Sequence, residues 1–272
     1  MMLQTVQAPA TQVNFRLPVA TATSGEAARE QWVAFIGKLS LEKGVHCLIA
    51  AMPAIIAKAP QARFMLIGDG VARAHLVAMR DALSDGDLDA AARAMQRAAE
   101  TSPEPYVEWV AEYWAGLDLH QYCKMAAAAD LRKRVVFTGY QPAPSVARLI
   151  SHADLVVIPS LIKEAFPLVS VEALSTGLMF VAPYVGGLAP VLDQVSAEID
   201  PIGRLASLRH YPQRLIPDMI DQVSTLLRYT SQEARRRELA RQCRNFALRH
   251  YDWTNIVSRI ESVYVSALYG YH

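Results

Sequence analysis

Five short apolar runs, each ending at a glycine or a proline, constrain this chain more than any other feature. They are Trp32–Gly37, Ala62–Gly68, Arg134–Gly139, Asp154–Pro159 and Met179–Ala182, the last followed by Pro183. Stretches with helical spacing separate them. Gly44–Ala59 stops before Pro60, a helix follows Asp69-Gly70, Ser145–His152 is short, and Pro167–Thr176 ends at Gly177. Strands that alternate with helices cannot pair through hairpins. They imply an α/β fold, a Rossmann-like parallel sheet with helices on both faces. Ligands of such sheets bind outside the carboxyl ends of the strands.

The rest of the chain is placed around that frame. Residues 1–30 are rich in Thr, Ala, Gln and Pro, show no sustained period and read as an irregular tail or linker. Residues 31–272 read as one domain. Between the second and third strands lie about fifty Ala-rich residues (81–130) with Trp109, Tyr113 and Trp114 close together. They predict a helical insertion of two or three helices, either a packing embellishment or a lid or partner surface. From Leu215 to about residue 270 the chain reads as C-terminal helices.

The 272 residues are 52% apolar and 19% charged, which fits a globular protein with an ample core. The net charge of +1 gives no electrostatic reason for nucleic-acid binding. Cys47, Cys123 and Cys243 are far apart and odd in number, as expected for reduced thiols of a cytoplasmic protein. No eighteen-residue apolar run and no secretory leader is evident. The seven histidines show no metal-ligand spacing.

Chemistry concentrates in Lys163-Glu-Ala-Phe-Pro-Leu-Val-Ser-Val-Glu172. Glu164 falls in a strand-to-helix loop and Glu172 about one and a half turns into the helix. The helix N-terminus between them offers free backbone N–H groups and a favourable dipole to an anion. Carboxylates beside an anion cradle suit a ligand that carries both hydroxyls and phosphates, such as a nucleotide sugar. Strand, loop and helix is also the commonest unit of α/β proteins, so the pair takes its meaning from its surroundings.

Those surroundings form an ordered series. Phe35-Ile-Gly-Lys-Leu39 is followed by Glu42-Lys-Gly44, Leu66-Ile-Gly-Asp-Gly70, Val136-Phe-Thr-Gly-Tyr140, Ala153-Asp-Leu-Val-Val-Ile-Pro-Ser160, Glu164-Ala-Phe-Pro-Leu168 through Glu172-Ala-Leu, and Gly186-Gly187. The series resembles the C-terminal, nucleotide-sugar-binding domain of the GT-B glycosyltransferases of family 4, with its E-x7-E motif. It runs from about Val33 to Leu192, interrupted by the insertion.

The resemblance implies one half of a GT-B fold and a retaining hexosyltransferase. Lys38 and Lys43, with Gly37 beside them, would clamp the donor diphosphate and stabilise its departing charge. Glu164 would touch the donor sugar, so Lys38, Lys43 and Glu164 are the expected catalytic residues. Glu172 would hold the ribose diol. Backbone around Phe166, Pro167 and Leu168 would meet the phosphates, and backbone at Tyr140 and Gln141 would lie along the base. The lysines take over charge neutralisation, so no metal or other cofactor is expected.

Two departures weaken the expected donor affinity. The family usually has arginine where this chain has Lys38, which loses the bidentate fork. It often has glycine where this chain has Pro167, which removes one N–H. A whole enzyme of this type also has a first domain that supplies the acceptor site, and the residues before the first strand are too few for one. The alternative is therefore a non-catalytic nucleotide-sugar-binding or assembly subunit, whose partner protein carries the missing N-terminal domain. In either case apolar surface is expected around Trp253, Tyr264 and Tyr269. The basic run Arg235–Arg237 with Arg241, Arg244 and Arg249 reads as a solvated helix face, with peripheral membrane contact as the alternative.

Overall fold

The computed structural model describes residues 29–102, 104, 106–211 and 214–269. Residues 1–28 of the expected tail lie outside that set. In chain order the elements are β1 (Gln31–Ile36), α1 (Val45–Lys58), β2 (Ala62–Ile67), α2 (Arg73–Ser84), α3 (Leu88–Ala99), α4 (Glu108–Ala115), α5 (Leu119–Ala129), α6 (Leu131–Arg134), β3 (Val135–Gly139), α7 (Ala143–Ile150), β4 (Leu155–Val157), α8 (Leu168–Thr176), β5 (Met179–Pro183), α9 (Leu188–Glu198), β6 (Ser207–Leu208), α10 (Leu215–Thr230), α11 (Glu233–Tyr251) and α12 (Trp253–Tyr269).

Six parallel strands lie in the order β3-β2-β1-β4-β5-β6. The chain builds outward from β1 to β3, returns to β1's other side as β4, and builds outward again. The point of reversal, between β1 and β4, is where the crossover helices diverge and leave a crevice at the strands' carboxyl ends. Helices cover both faces, so the central strands are apolar on both sides. Val33, Ala34, Phe64, Met65, Leu66, Val156, Val157 and Phe180 are fully buried. The sixth strand, only two residues long, is too short to leave a periodic signal in the sequence.

Register at the reversal is held by Asp154, whose buried carboxylate accepts the Trp32 N–H at 2.8 Å and pairs with Arg29. The Asp154 amide in turn donates to the Trp32 carbonyl at 2.7 Å. These bonds start β4 against β1 and set how far its end projects toward the crevice.

The expected insertion is three helices, α3 to α5. It is tied to the Rossmann-like body through α1: the buried Tyr122 hydroxyl donates to the Ala50 carbonyl at 2.7 Å. At the other end, α11 buries Leu239, Cys243, Phe246 and Ala247, one stripe at helical spacing, and lies against α8. Its basic run is largely paired. Glu233 bonds Arg236 and Arg237, Glu238 bonds Arg241, and Arg249 bonds Glu198. Arg244 donates to the Thr176 carbonyl at the end of α8.

The helix α12 buries no residue. Trp253, Val263, Tyr264, Leu268 and Tyr269 are each 66% exposed or more, so the apolar surface expected at the C-terminal helices is present. No helix among the described residues is long and apolar enough to cross a membrane.

Candidate active site

The crevice is shaped first by backbone. After β1 the chain turns through Gly37 and Lys38 into a 3-10 turn, Leu41–Lys43, which ends at Gly44 in the left-handed region (φ 69°). A Cβ at Gly44 would lie 1.9 Å from the Pro159 carbonyl oxygen. Only glycine allows both that dihedral and that approach. The loop after β1 therefore lies directly against the loop after β4, and the Leu161 amide donates to the Glu42 carbonyl at 2.9 Å.

That approach brings Lys43 to Glu164. The Lys43 Nζ donates to Glu164 Oε1 at 2.5 Å, and the Ser160 hydroxyl donates to the same oxygen at 2.7 Å. The two charged side chains are 27% and 22% exposed. Burial pushes the Glu164 carboxyl up, but the Lys43 and Ser160 hydrogen bonds and the Lys43 charge together hold it below the ordinary carboxylate value. Glu164 is thus an anion whose second oxygen accepts no hydrogen bond among the described residues.

Lys38 is more open. Its ammonium stands 3.7 Å from Glu42, and its side chain is 59% exposed. Burial raises the Glu42 carboxyl, but the nearby Ser40 hydroxyl and its own backbone amide, with the charges of Lys38 and Lys43, lower it overall.

The Glu164 loop is clamped from behind. The Gly187 N–H donates to the Glu164 carbonyl at 2.7 Å. A Cβ at Gly187 would sit 2.1 Å from the Ala165 oxygen, and one at Gly186 2.8 Å from the Glu164 oxygen. The two glycines, legible in the sequence as a turn, let the loop after β5 press against the loop after β4.

Gly37, Lys38, Lys43, Glu164 and the segment Phe166–Leu168 line one cleft of about 290 Å3. A second of about 320 Å3, lined by Tyr140 and Gln141, shares Ile36, Gly37 and Lys38 with it. The α8 N-terminus opens here with no side-chain cap; the Leu168 and Ser170 N–H groups donate to the Phe166 and Pro167 carbonyls at 3.1 and 2.9 Å, and the positive end of the helix dipole favours an anion. Pro167 is the residue that precedes the first helical residue, Leu168, rather than the first helical residue itself. Its ring fixes φ at −83°, and ψ at 89° is not yet helical.

Nine of the ten expected site residues therefore border one continuous crevice. The tenth, Glu172, is exposed on the fifth residue of α8 and lines neither cleft. Ser160 was not singled out from the sequence. The only signal for it was a hydroxyl four residues before Glu164, and a pairing across a loop has no fixed spacing.

Residues 89–196 match the family described as Glycosyl transferases group 1. That stretch covers less than half of the chain. It spans β3 to β5, the Glu164 loop and α8, but not Lys38 or Lys43.

An uncharacterized glycosyltransferase of Methanocaldococcus jannaschii is 25% identical over 257 residues, 94% of this chain and 49% of that protein. The D-inositol 3-phosphate glycosyltransferase of Segniliparus rotundus is 29% identical over 204 residues, 72% of this chain and 36% of that protein. Among solved structures, Anabaena HepE in complex with UDP superposes with a TM-score of 0.53 at 22% identity, covering 88% of this chain and 50% of HepE. The likeness to HepE concerns the fold. The chain spans half or less of each of these proteins.

Proposed function

We propose that this chain binds a nucleoside-diphosphate sugar in the crevice between the ends of β1 and β4 and supports retaining transfer of the sugar to an acceptor, as a cytoplasmic, family 4-like glycosyltransferase. One observation carries the reading: Lys38, Lys43, an uncapped helix N-terminus and an ionised Glu164 converge on one cleft of about 290 Å3.

The chemistry needs those groups together. Breaking the sugar–phosphate bond leaves charge on a nucleoside diphosphate. Fixed cations and helix N–H groups stabilise that charge without reorganising. Lys38 and Lys43 take this part, and the backbone around Phe166 and Leu168 at the start of α8 is assigned to the phosphates, which requires the Leu168 N–H to leave the Phe166 carbonyl to which it donates at 3.1 Å. Lys43 also bonds Glu164, so one ammonium links the phosphate side of the cleft to the carboxylate that accepts sugar hydroxyls. The backbone at Tyr140 and Gln141 borders the adjoining cleft, where a base fits. Glu172, exposed on α8, is assigned to the ribose diol. The charge balance rests on side chains, and transfer is expected to survive chelation of divalent metals. Structures of HepE hold UDP, UDP with glucose, and UDP-glucose, which supports a uridine donor as the first to test.

The bare apolar face of α12 favours a companion reading. A partner protein or domain that supplies the acceptor half would cover that face. This chain would then act as the nucleotide-sugar-binding subunit of an assembly, active only when joined.

Calorimetry of the purified chain with UDP, GDP and ADP tests the reading. Binding of one nucleotide is expected, weakened in Lys43→Ala and Glu172→Ala by about 1.5–3 kcal/mol, the range for hydrogen bonds to charged groups. Unchanged affinity in a folded Glu172→Ala variant removes the ribose assignment. Absence of binding to all three by the folded chain turns the reading to the assembly subunit.

A further inference from the structure

The insertion α3–α5 connects to the Ser160–Glu164 loop through Trp109 on α4 and Tyr211 in the loop before α10. Trp109, in the first turn of α4, stacks on Tyr211, with ring centroids 5.4 Å apart and planes 15° from parallel. The Tyr211 hydroxyl donates to the Leu161 carbonyl at 2.7 Å. The Leu161 amide donates to the Glu42 carbonyl, and the neighbouring Ser160 hydroxyl holds Glu164. A continuous line of contacts thus runs from the insertion, through the loop before α10, to the loop that carries Ser160 and Glu164.

The insertion end of this line is itself fixed. The buried His46 ring bonds the Tyr106 carbonyl at 2.9 Å through Nε2. Burial pushes the imidazole down to about 4, so it is neutral at pH 7 and Nε2–H is the donor to that carbonyl. His46 stands three residues after Lys43, so the segment that leads into α4 is pinned beside the start of α1. Ser160 and Leu161 are 1% and 5% exposed, so the loop they form is packed on both sides.

We propose that Trp109 and Tyr211 are positioning residues: they form a strut by which the insertion holds the Ser160–Glu164 loop at the distance from Lys43 that the site requires. The assignment to donor binding rests on the function proposed above, whereas the strut itself is a property of the fold. Neither side chain lines the Lys43–Glu164 cleft, so the effect on ligand is transmitted through Leu161. A ring stack resists tilting, and a phenol donor fixes one carbonyl, so together they set both the angle and the height of the loop.

Amide hydrogen exchange and UDP titration of the whole chain, run on the same variants, test this. In Tyr211→Phe the ring stays and only the donor is lost. The Leu161 amide is expected to exchange about five-fold faster, the population change brought by one neutral hydrogen bond. Phe64 in β2 serves as the control and is expected to exchange as in the wild type. Trp109→Ala is expected to behave like Tyr211→Phe, and Trp109→Phe, which retains a stack, like the wild type. UDP affinity is expected to fall about three- to ten-fold in the first two and to be kept in the third.

Unchanged Leu161 exchange in Tyr211→Phe and Trp109→Ala overturns the strut, as does an equal rise at Phe64. Faster Leu161 exchange with unaltered UDP affinity overturns the positioning role. A wild-type chain that binds none of UDP, GDP and ADP removes the donor reading, and the exchange data still decide the strut.

Discussion

The ion pair between Lys43 and Glu164 offers the sharpest test of how the crevice is built. Its 2.5 Å length and side-chain exposures of 27% and 22% place it between two well-measured regimes. Exposed pairs couple by about 0.2–1 kcal/mol, and breaking a fully buried pair costs about 3–5 kcal/mol. A coupling of about 1–2 kcal/mol is expected at pH 7. The assay is a double-mutant cycle of Lys43→Met and Glu164→Gln by urea unfolding, since single variants mix the pair with the Ser160 bond to the same carboxylate. The pH dependence follows from the lowered Glu164 carboxyl. A group whose folded value lies below its unfolded value contributes stability that is fully present above the ordinary 4.5 and is lost as pH falls through the folded value. The coupling should therefore be constant from pH 7 to about 5.5 and shrink as acid protonates Glu164 below 4.5. In Lys43→Met, burial acts on the carboxyl with only Ser160 opposing it, so the folded value rises toward the ordinary one and the acid loss of stability due to Glu164 should shrink. A coupling under about 0.3 kcal/mol at pH 7, or one that survives full protonation, refutes the reasoning.

Three further outcomes are expected. Asp154→Ala leaves the Trp32 N–H and Arg29 without their partner at the β1–β4 junction, and should cost about 1–3 kcal/mol in urea unfolding; no loss would mean that strand pairing alone sets this register. Gly187→Ala forces a Cβ to 2.1 Å from the Ala165 oxygen, so the Glu164 loop must move. Stability should fall by about 1–3 kcal/mol, as for overpacking, and nucleotide affinity should fall with it, whereas a wild-type melting temperature and affinity together would contradict the clamp. Val263→Lys and Leu268→Lys on α12 should change the chain's own stability by less than about 0.5 kcal/mol, because neither side chain is packed; a larger loss would show that α12 is covered.

Much of the fold was legible because it rests on local periodicity. The run Ala62–Gly68 matches β2, Gly44–Ala59 contains α1, and Gly177 stops α8 in the left-handed conformation its position calls for. The Ala-rich insertion, expected as two or three helices, holds three, α3 to α5. The two-residue β6 was not read, since a pairing that short is created by its neighbour β5 and not by its own pattern. Ser145–His152 falls two residues late against Ala143–Ile150, because Pro142 precedes the helix and its ring favours an early start.

The candidate site divides the same way. Residue types and their order along the chain marked Lys38, Lys43, Glu164 and the α8 N-terminus, and implied a parallel sheet with its ligands at the strand ends. The sequence by itself determined this much, since strand and helix periods and turn glycines act over a few residues. It could not pair Lys43 with Glu164, 121 residues away, nor show that Gly187 clamps the Glu164 loop or that Trp109 reaches it through Tyr211. It also could not show that Glu172 lies outside the crevice lining or that α12 buries none of its residues. Those facts were decided by tertiary structure, because β4 returns to lie beside β1. Only that return brings distant loops within hydrogen-bond range, and distance between side chains is set by the sheet order and not by separation along the chain.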